Sequence, residues 1–169
     1  MLMPIRRSVL LGVLVAFLLE GGLIADAHAQ RTGQHRDEYE GVGIERKHGD
    51  TVPHDLVFTD HTGQEVTLGE YFDGERPVLL NLVYHDCPML CGLLMNGVTK
   101  TIGSLEWTPG SEYTVLTVSF NPRESFEQAA AQRDRYLDQL GRSGAAEGWH
   151  FLTGDAENID ALTDAVGFN

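Results

Sequence analysis

Cys87 and Cys91 are the only cysteines among 169 residues. They sit in Cys87-Pro88-Met89-Leu90-Cys91, after the apolar run Val78 to Tyr84 and before a stretch with helical spacing. A cysteine at a strand-to-helix junction meets the positive end of the helix dipole and unpaired N–H groups, which favour the thiolate. Pro88 suits a first helical turn, where its missing N–H costs nothing. The i, i+4 spacing puts both side chains on one face if the segment is helical. Two thiolates there can hold Cu(I), which soft ligands select over harder ions. Relaxation of the turn lets them close a disulfide, and an exposed thiolate can attack a disulfide elsewhere. Zinc asks for four ligands, and no second cysteine pair exists. A structural disulfide is the plainest reading. Its loop would be so short that it would restrict the unfolded chain little, which favours a reactive pair.

Few other side chains join this chemistry. His85 precedes Cys87 by two residues; if the strand continues that far, both point to one face and His85 could complete a three-ligand site. A surface or supporting role is the plainer expectation for it. Met89 and Met95 are soft ligands on paper, with Met89 read as a packing or partner-facing residue. Asp86 would oppose the helix dipole by raising the thiol pKa of Cys87. His150, between Trp149 and Phe151, reads as structural, and nothing groups His48, His54 and His61 into a metal box.

The elements that must position the pair follow from periodicity. Leu56 to Asp60 and Glu65 to Leu68 flank His61-Thr62-Gly63-Gln64, a hairpin signal. A short turn or helix over Gly69 to Phe72 leads to residues 78–84, apolar on both faces apart from Asn81, as a central strand covered by helices would be. Leu93, Leu94, Val98, Ile102 and Leu105 predict a helix from Leu90 to Leu105. Tyr113 to Phe120 predicts a second buried strand. Ser125 is placed to cap a helix reaching Leu140, and Asp155 to cap a last helix ending near Gly167. Trp149 to Leu152 is a short strand between them. Alternating strands and helices predict an α/β layer structure with a largely parallel centre. Because the sequence stops just after a helix, the final strands of such a sheet are expected to be missing and the chain to be a C-terminally truncated fragment.

Residues 1–29 have the pattern of an export signal: Arg6-Arg7, the short apolar run Ser8 to Leu19, and the cleavage-like Ala27-His28-Ala29. The run is short for a membrane span, so cleavage before Gln30 is expected, with an uncleaved N-terminal anchor as the alternative. Residues 30–50 read as a linker or N-terminal arm, and residues 51–169 as the folded domain. The net charge is −13 and stays there without the signal, which carries two arginines and two acids. Such a surface repels nucleic acid and anionic lipid. Outside the cytoplasm an idle pair would be oxidised, so a functional one requires a reductant, a metal or both.

Three blocks in order carry a resemblance: VLLNLVYHDCPMLCGLLMNGV, TVLTVSFNPRES and GWHFLTGDAENIDALTDAVGF. Over roughly residues 50–169 the chain resembles the Sco/SenC family, thioredoxin-like copper chaperones of cytochrome c oxidase assembly. The resemblance implies a thioredoxin-like α/β fold and copper held by Cys87 and Cys91, which would also be the redox pair. It implies a third ligand, a histidine, in a segment beyond Asn169. Asn121 stands where many members carry aspartate, and Ser125 falls near their usual threonine-proline, which leaves an acidic contribution from this loop open.

The expected function is a copper-binding chaperone in the periplasm or at the outer face of the cytoplasmic membrane. Its partner would be the copper-bearing subunit of cytochrome c oxidase, or another periplasmic copper or thiol protein. The alternative is an exported thiol-disulfide oxidoreductase using the same pair without metal. A peroxiredoxin-type peroxidase would need threonine three residues before the reactive cysteine, where Tyr84 stands.

Overall fold

The computed structural model describes residues 42–168 apart from Pro88. The predicted signal, the arm up to residue 41 and the expected place of Pro88 in a first helical turn lie outside the described residues.

Five strands form one mixed sheet: β1 (Val57–Asp60), β2 (Glu65–Thr67), β3 (Val78–Val83), β4 (Thr114–Ser119) and β5 (Trp149–Thr153). Their spatial order is β2-β1-β5-β4-β3. Strands β3, β4 and β5 run parallel, whereas β1 is antiparallel to both β5 and β2. Helices α1 (Leu90–Ser104), α2 (Phe126–Leu140) and α3 (Ala156–Val166) alternate with the parallel strands. This is the α/β layer structure that the alternation of strands and helices predicts, in the thioredoxin-like arrangement that the resemblance implies.

Alternation along the strands sends side chains to two cores. Val115, Trp149 and Phe151 pack with Met95, Ile102, Ala129 and Tyr136 beneath α1 and α2. Leu116, Val118 and Leu152 pack with Phe58, Leu68, Ile159 and Leu162 beneath α3. Helices on both faces explain why every residue of β4 is buried.

The predicted caps form. Ser125 and Gln128 make a capping box at the start of α2. The Asp155 carboxylate accepts from the Asn158 N–H at 2.9 Å to start α3, and Gly167 ends it at φ 73°. At that end Glu45 N–H donates to Gly167 O at 2.7 Å, and Lys47 Nζ donates to Asp164 O at 2.8 Å.

Strand β3 departs from expectation. Among the described strands it lies at the sheet edge, paired with β4 alone, and Leu79 is 43% exposed. A run apolar at nearly every position reports that both faces of a strand favour burial. It says nothing about how many strands flank it.

Candidate metal and redox site

Parallel pairing of β3 with β4 puts the C-terminal ends of both strands side by side, Val83 opposite Ser119. The two cysteines belong to the connection that leaves β3 there. Strand β3 stops at Val83, and α1 begins only at Leu90. Cys91 therefore sits in the first helical turn, while Cys87 lies in the loop before it. The shared helical face expected from the i, i+4 spacing is replaced by a folded loop that brings the two sulfurs together.

Main-chain donors organise this loop. The N–H of Cys91 donates to Cys87 Sγ at 3.4 Å, and the N–H of Tyr84 donates to Cys91 Sγ at 3.4 Å. The N–H groups of Cys91 and Met89, then the Cys91 thiol and the Leu90 N–H, hold the Cys87 thiol pKa below its usual value. Burial pushes the Cys91 thiol up, aided by the negative charge of Cys87 and of Glu124. The pair is thus unequal: Cys87 is the more acidic thiol, Cys91 the more sheltered. Both are free of any disulfide.

A cleft of about 100 Å³ opens between this loop and α2, lined by Tyr84, His85, Cys87, Cys91, Arg135 and Tyr136. His85 lines it but is turned inward and only 5% exposed. Its Nε2 donates to the Leu152 carbonyl at 3.2 Å, and its ring lies 5.6 Å from that of Phe151. Burial lowers its pKa, against the Leu152 carbonyl and the charge of Glu124. Because the strand ends two residues earlier, His85 and Cys87 do not share a strand face. Met89 is 68% exposed beside the site, whereas Met95 is 2% exposed in the core.

Glu124 is the site residue that sequence reasoning missed. It follows β4 and is 8% exposed. Its Oε2 accepts from the His85 N–H at 2.7 Å and from the Ser119 hydroxyl, and its Oε1 accepts from the Asp86 N–H at 2.8 Å. An acidic side chain therefore does serve this loop, three residues after Asn121. The available signal was its position just past the end of β4, beside which a parallel neighbour must also end.

The donor set fits a soft cation. Two sulfurs meet at one cleft, one of them with a lowered pKa, and no hard oxygen cage surrounds them. Among the described residues, no group of three or more His, Cys, Asp and Glu side chains is arranged to hold a metal. His61 and His150 do approach each other, with ring centroids 6.2 Å apart, and neither lines the cysteine cleft.

The SCO1/SenC family model matches residues 45–168. A search of the curated proteins found no match. A crystal structure from Aquifex aeolicus VF5, of a protein with a proposed electron-transfer role, is 29% identical, with 72% of each chain covered and a TM-score of 0.58. ScoI of Arabidopsis thaliana, solved with copper bound, is 16% identical, covers 69% of this chain and 66% of its own, and has a TM-score of 0.52. A SCO1/SenC family lipoprotein of Bacillus anthracis is 12% identical, covers 73% and 69%, and also has a TM-score of 0.52. The latter two bear on the fold alone, and the fold agrees. With the family model spanning the whole sheet and the cysteine loop, the chain belongs to the SCO1/SenC family.

Proposed function

We propose that this chain is an exported copper-binding chaperone that holds Cu(I) through Cys87 and Cys91. It would hand the ion to the copper-bearing subunit of a respiratory cytochrome c oxidase or to another periplasmic copper or thiol protein. The observation that carries the reading is the meeting of two free thiols at one cleft, with the Cys91 N–H bonded to Cys87 Sγ. Thiolates are the ligands of choice for Cu(I), and two of them leave the ion open to a third. Transfer then proceeds by exchange, with one target sulfur bonding to copper as one chaperone sulfur leaves. A family relative with copper bound supports copper as the cargo. The pattern of residues 1–29 supports export, and a lipoprotein within the family fits action outside the cytoplasm.

The inequality of the two thiols favours a second activity of the same pair. The Cys87 thiolate attacks a target disulfide, bonding to one sulfur and releasing the other as a thiolate. The Cys91 thiolate then displaces the second target sulfur, leaving Cys87–Cys91 oxidised and the target reduced by two electrons. A competition titration of the reduced chain with a Cu(I) chelator tests the first reading. One copper ion retained per chain, and lost on either cysteine-to-serine change, is expected. A reduced chain that takes no Cu(I) yet reduces a model disulfide would leave the oxidoreductase reading in its place.

A further inference from the structure

We infer that Glu124 is a positioning residue for the cysteine pair, one whose carboxylate sets how the loop presents Cys87. The inference rests on the thiol-site reading above and deepens it.

The geometry divides the loop in two. Its first half, His85 and Asp86, turns its main-chain N–H groups toward Glu124, at 2.7 and 2.8 Å. Its second half directs the Cys91 N–H toward the Cys87 sulfur, at 3.4 Å. Consecutive peptide groups in a short turn cannot be reoriented independently, because each residue has only two soft dihedrals. Anchoring the first half therefore restricts the directions open to the second. The anchor is itself fixed, since the Ser119 hydroxyl at the end of β4 donates to Glu124 Oε2. A buried carboxylate with three donors is a stiff support, and charge-assisted hydrogen bonds of this type are about twice as strong as neutral ones. Nothing about the packing alone asks for a charge here. Glu124 is 8% exposed, and a buried charge is costly unless it is fully bonded.

The consequence is chemical. The Cys91 N–H holds the Cys87 sulfur in place while both cysteines are free, so the anchored loop is shaped for the open pair. Loosening the loop removes that hold, lets the two sulfurs close on each other and leaves a disulfide comparatively favoured. Glu124 thus tilts the pair toward the dithiol.

The test equilibrates the chain and its variants with reduced and oxidised glutathione and quantifies Cys87–Cys91 by mass spectrometry. In this exchange two glutathione thiols are oxidised for each protein disulfide reduced. E124A is expected to shift the equilibrium about tenfold toward the protein disulfide, equivalent to about 30 mV. E124Q keeps the shape and one acceptor, so it is expected to shift it in the same direction by a smaller factor. Ser119→Ala, which frees the anchor without touching the loop, is expected to follow in that direction. Amide exchange at His85 and Asp86 should quicken in E124A. A thermal melt read alongside separates a fold defect from a site effect. Variants that melt lower while their glutathione equilibrium stays within twofold of the parent chain overturn the inference and make Glu124 a structural clamp only. An E124Q shift toward the dithiol also overturns it, because loss of charge near Cys91 would then dominate. If the parent chain takes no Cu(I) but the tenfold shift is seen, the copper reading fails and this one stands.

Discussion

The main-chain N–H of Cys91 donates to the sulfur of Cys87 at 3.4 Å, so one cysteine's backbone helps acidify the other's thiol. Burial pushes the Cys91 thiol the other way. Alkylation of the reduced chain at mildly alkaline pH should therefore modify Cys87 well before Cys91. The order is read by peptide mass spectrometry over a time course. Cys91→Ser should accumulate a mixed disulfide with a model substrate, because the sulfur that would displace it is gone. Cys87→Ser should form far less. Equal labelling rates would remove the assigned division of labour.

Copper binding should separate Cys87 and Cys91 sharply from His85. Either cysteine changed to serine exchanges a soft ligand for a hard hydroxyl and should lower Cu(I) affinity at least a hundredfold. The His85 ring is held by the Leu152 carbonyl and faces Phe151, so it is not free to swing to the metal. His85→Ala should change Cu(I) affinity by less than about threefold at matched fold stability. Chelator competition measures all three, and a loss in His85→Ala as large as in the serine variants would make His85 a ligand.

Much of this fold was legible because its signals are local. The capping box of Ser125 and Gln128, the Asp155 cap, the fully buried run of β4 and the β5 run buried apart from His150 each declare themselves within a few residues. The cysteine pair was legible for the same reason. What escaped depends on neighbours distant in sequence. Leu79 reads like its partners in β3 but lies on a strand paired along one side only. His85 follows the strand in sequence, yet β3 ends at Val83 and the ring turns into the core. Glu124 gains its meaning only when the loops after β3 and β4 are known to touch.

Stability should fall on mild acidification through His150. Burial lowers its pKa from an ordinary 6.5 to about 4, with the positive fields of His61 and Arg133 adding and Asp60 opposing. The unfolded chain therefore binds a proton below about pH 6.5 that the folded chain refuses until about pH 4. The stability this residue contributes is fully present above pH 6.5 and is lost as pH falls through that window. After allowance for solvent screening, the loss is on the order of 2 kcal/mol. Melting temperature against pH should drop between 6.5 and 4, and His150→Gln should flatten that part of the curve. An unchanged slope in the variant would assign the acid sensitivity to other groups.

The start of β5 depends on a backbone contact that tolerates no side chain. Gly148 passes so close to the turn before β4 that a Cβ on it would lie 1.8 Å from the Gly110 nitrogen and 2.4 Å from the Gly110 Cα. Both neighbours are backbone, so no rotamer change can relieve the clash. The Gly110 N–H is tied to the Tyr113 carbonyl at 2.8 Å, and the Gly148 carbonyl accepts from the Val115 N–H at 2.7 Å. Moving either segment breaks the junction at which β4 and β5 begin to pair. Trp149, fully buried in the core below α2, would be displaced with it. Gly148→Ala should therefore cost about 3 kcal/mol, the upper range for overpacking in a core. Gly97→Ala, on an exposed turn of α1 with nothing within 4 Å of the added carbon, should instead stabilise the chain by up to about 1 kcal/mol. Denaturant titration of the two variants gives the comparison. A Gly148→Ala midpoint equal to that of the parent would mean that the two segments separate without loss, and that this junction does not hold the sheet together.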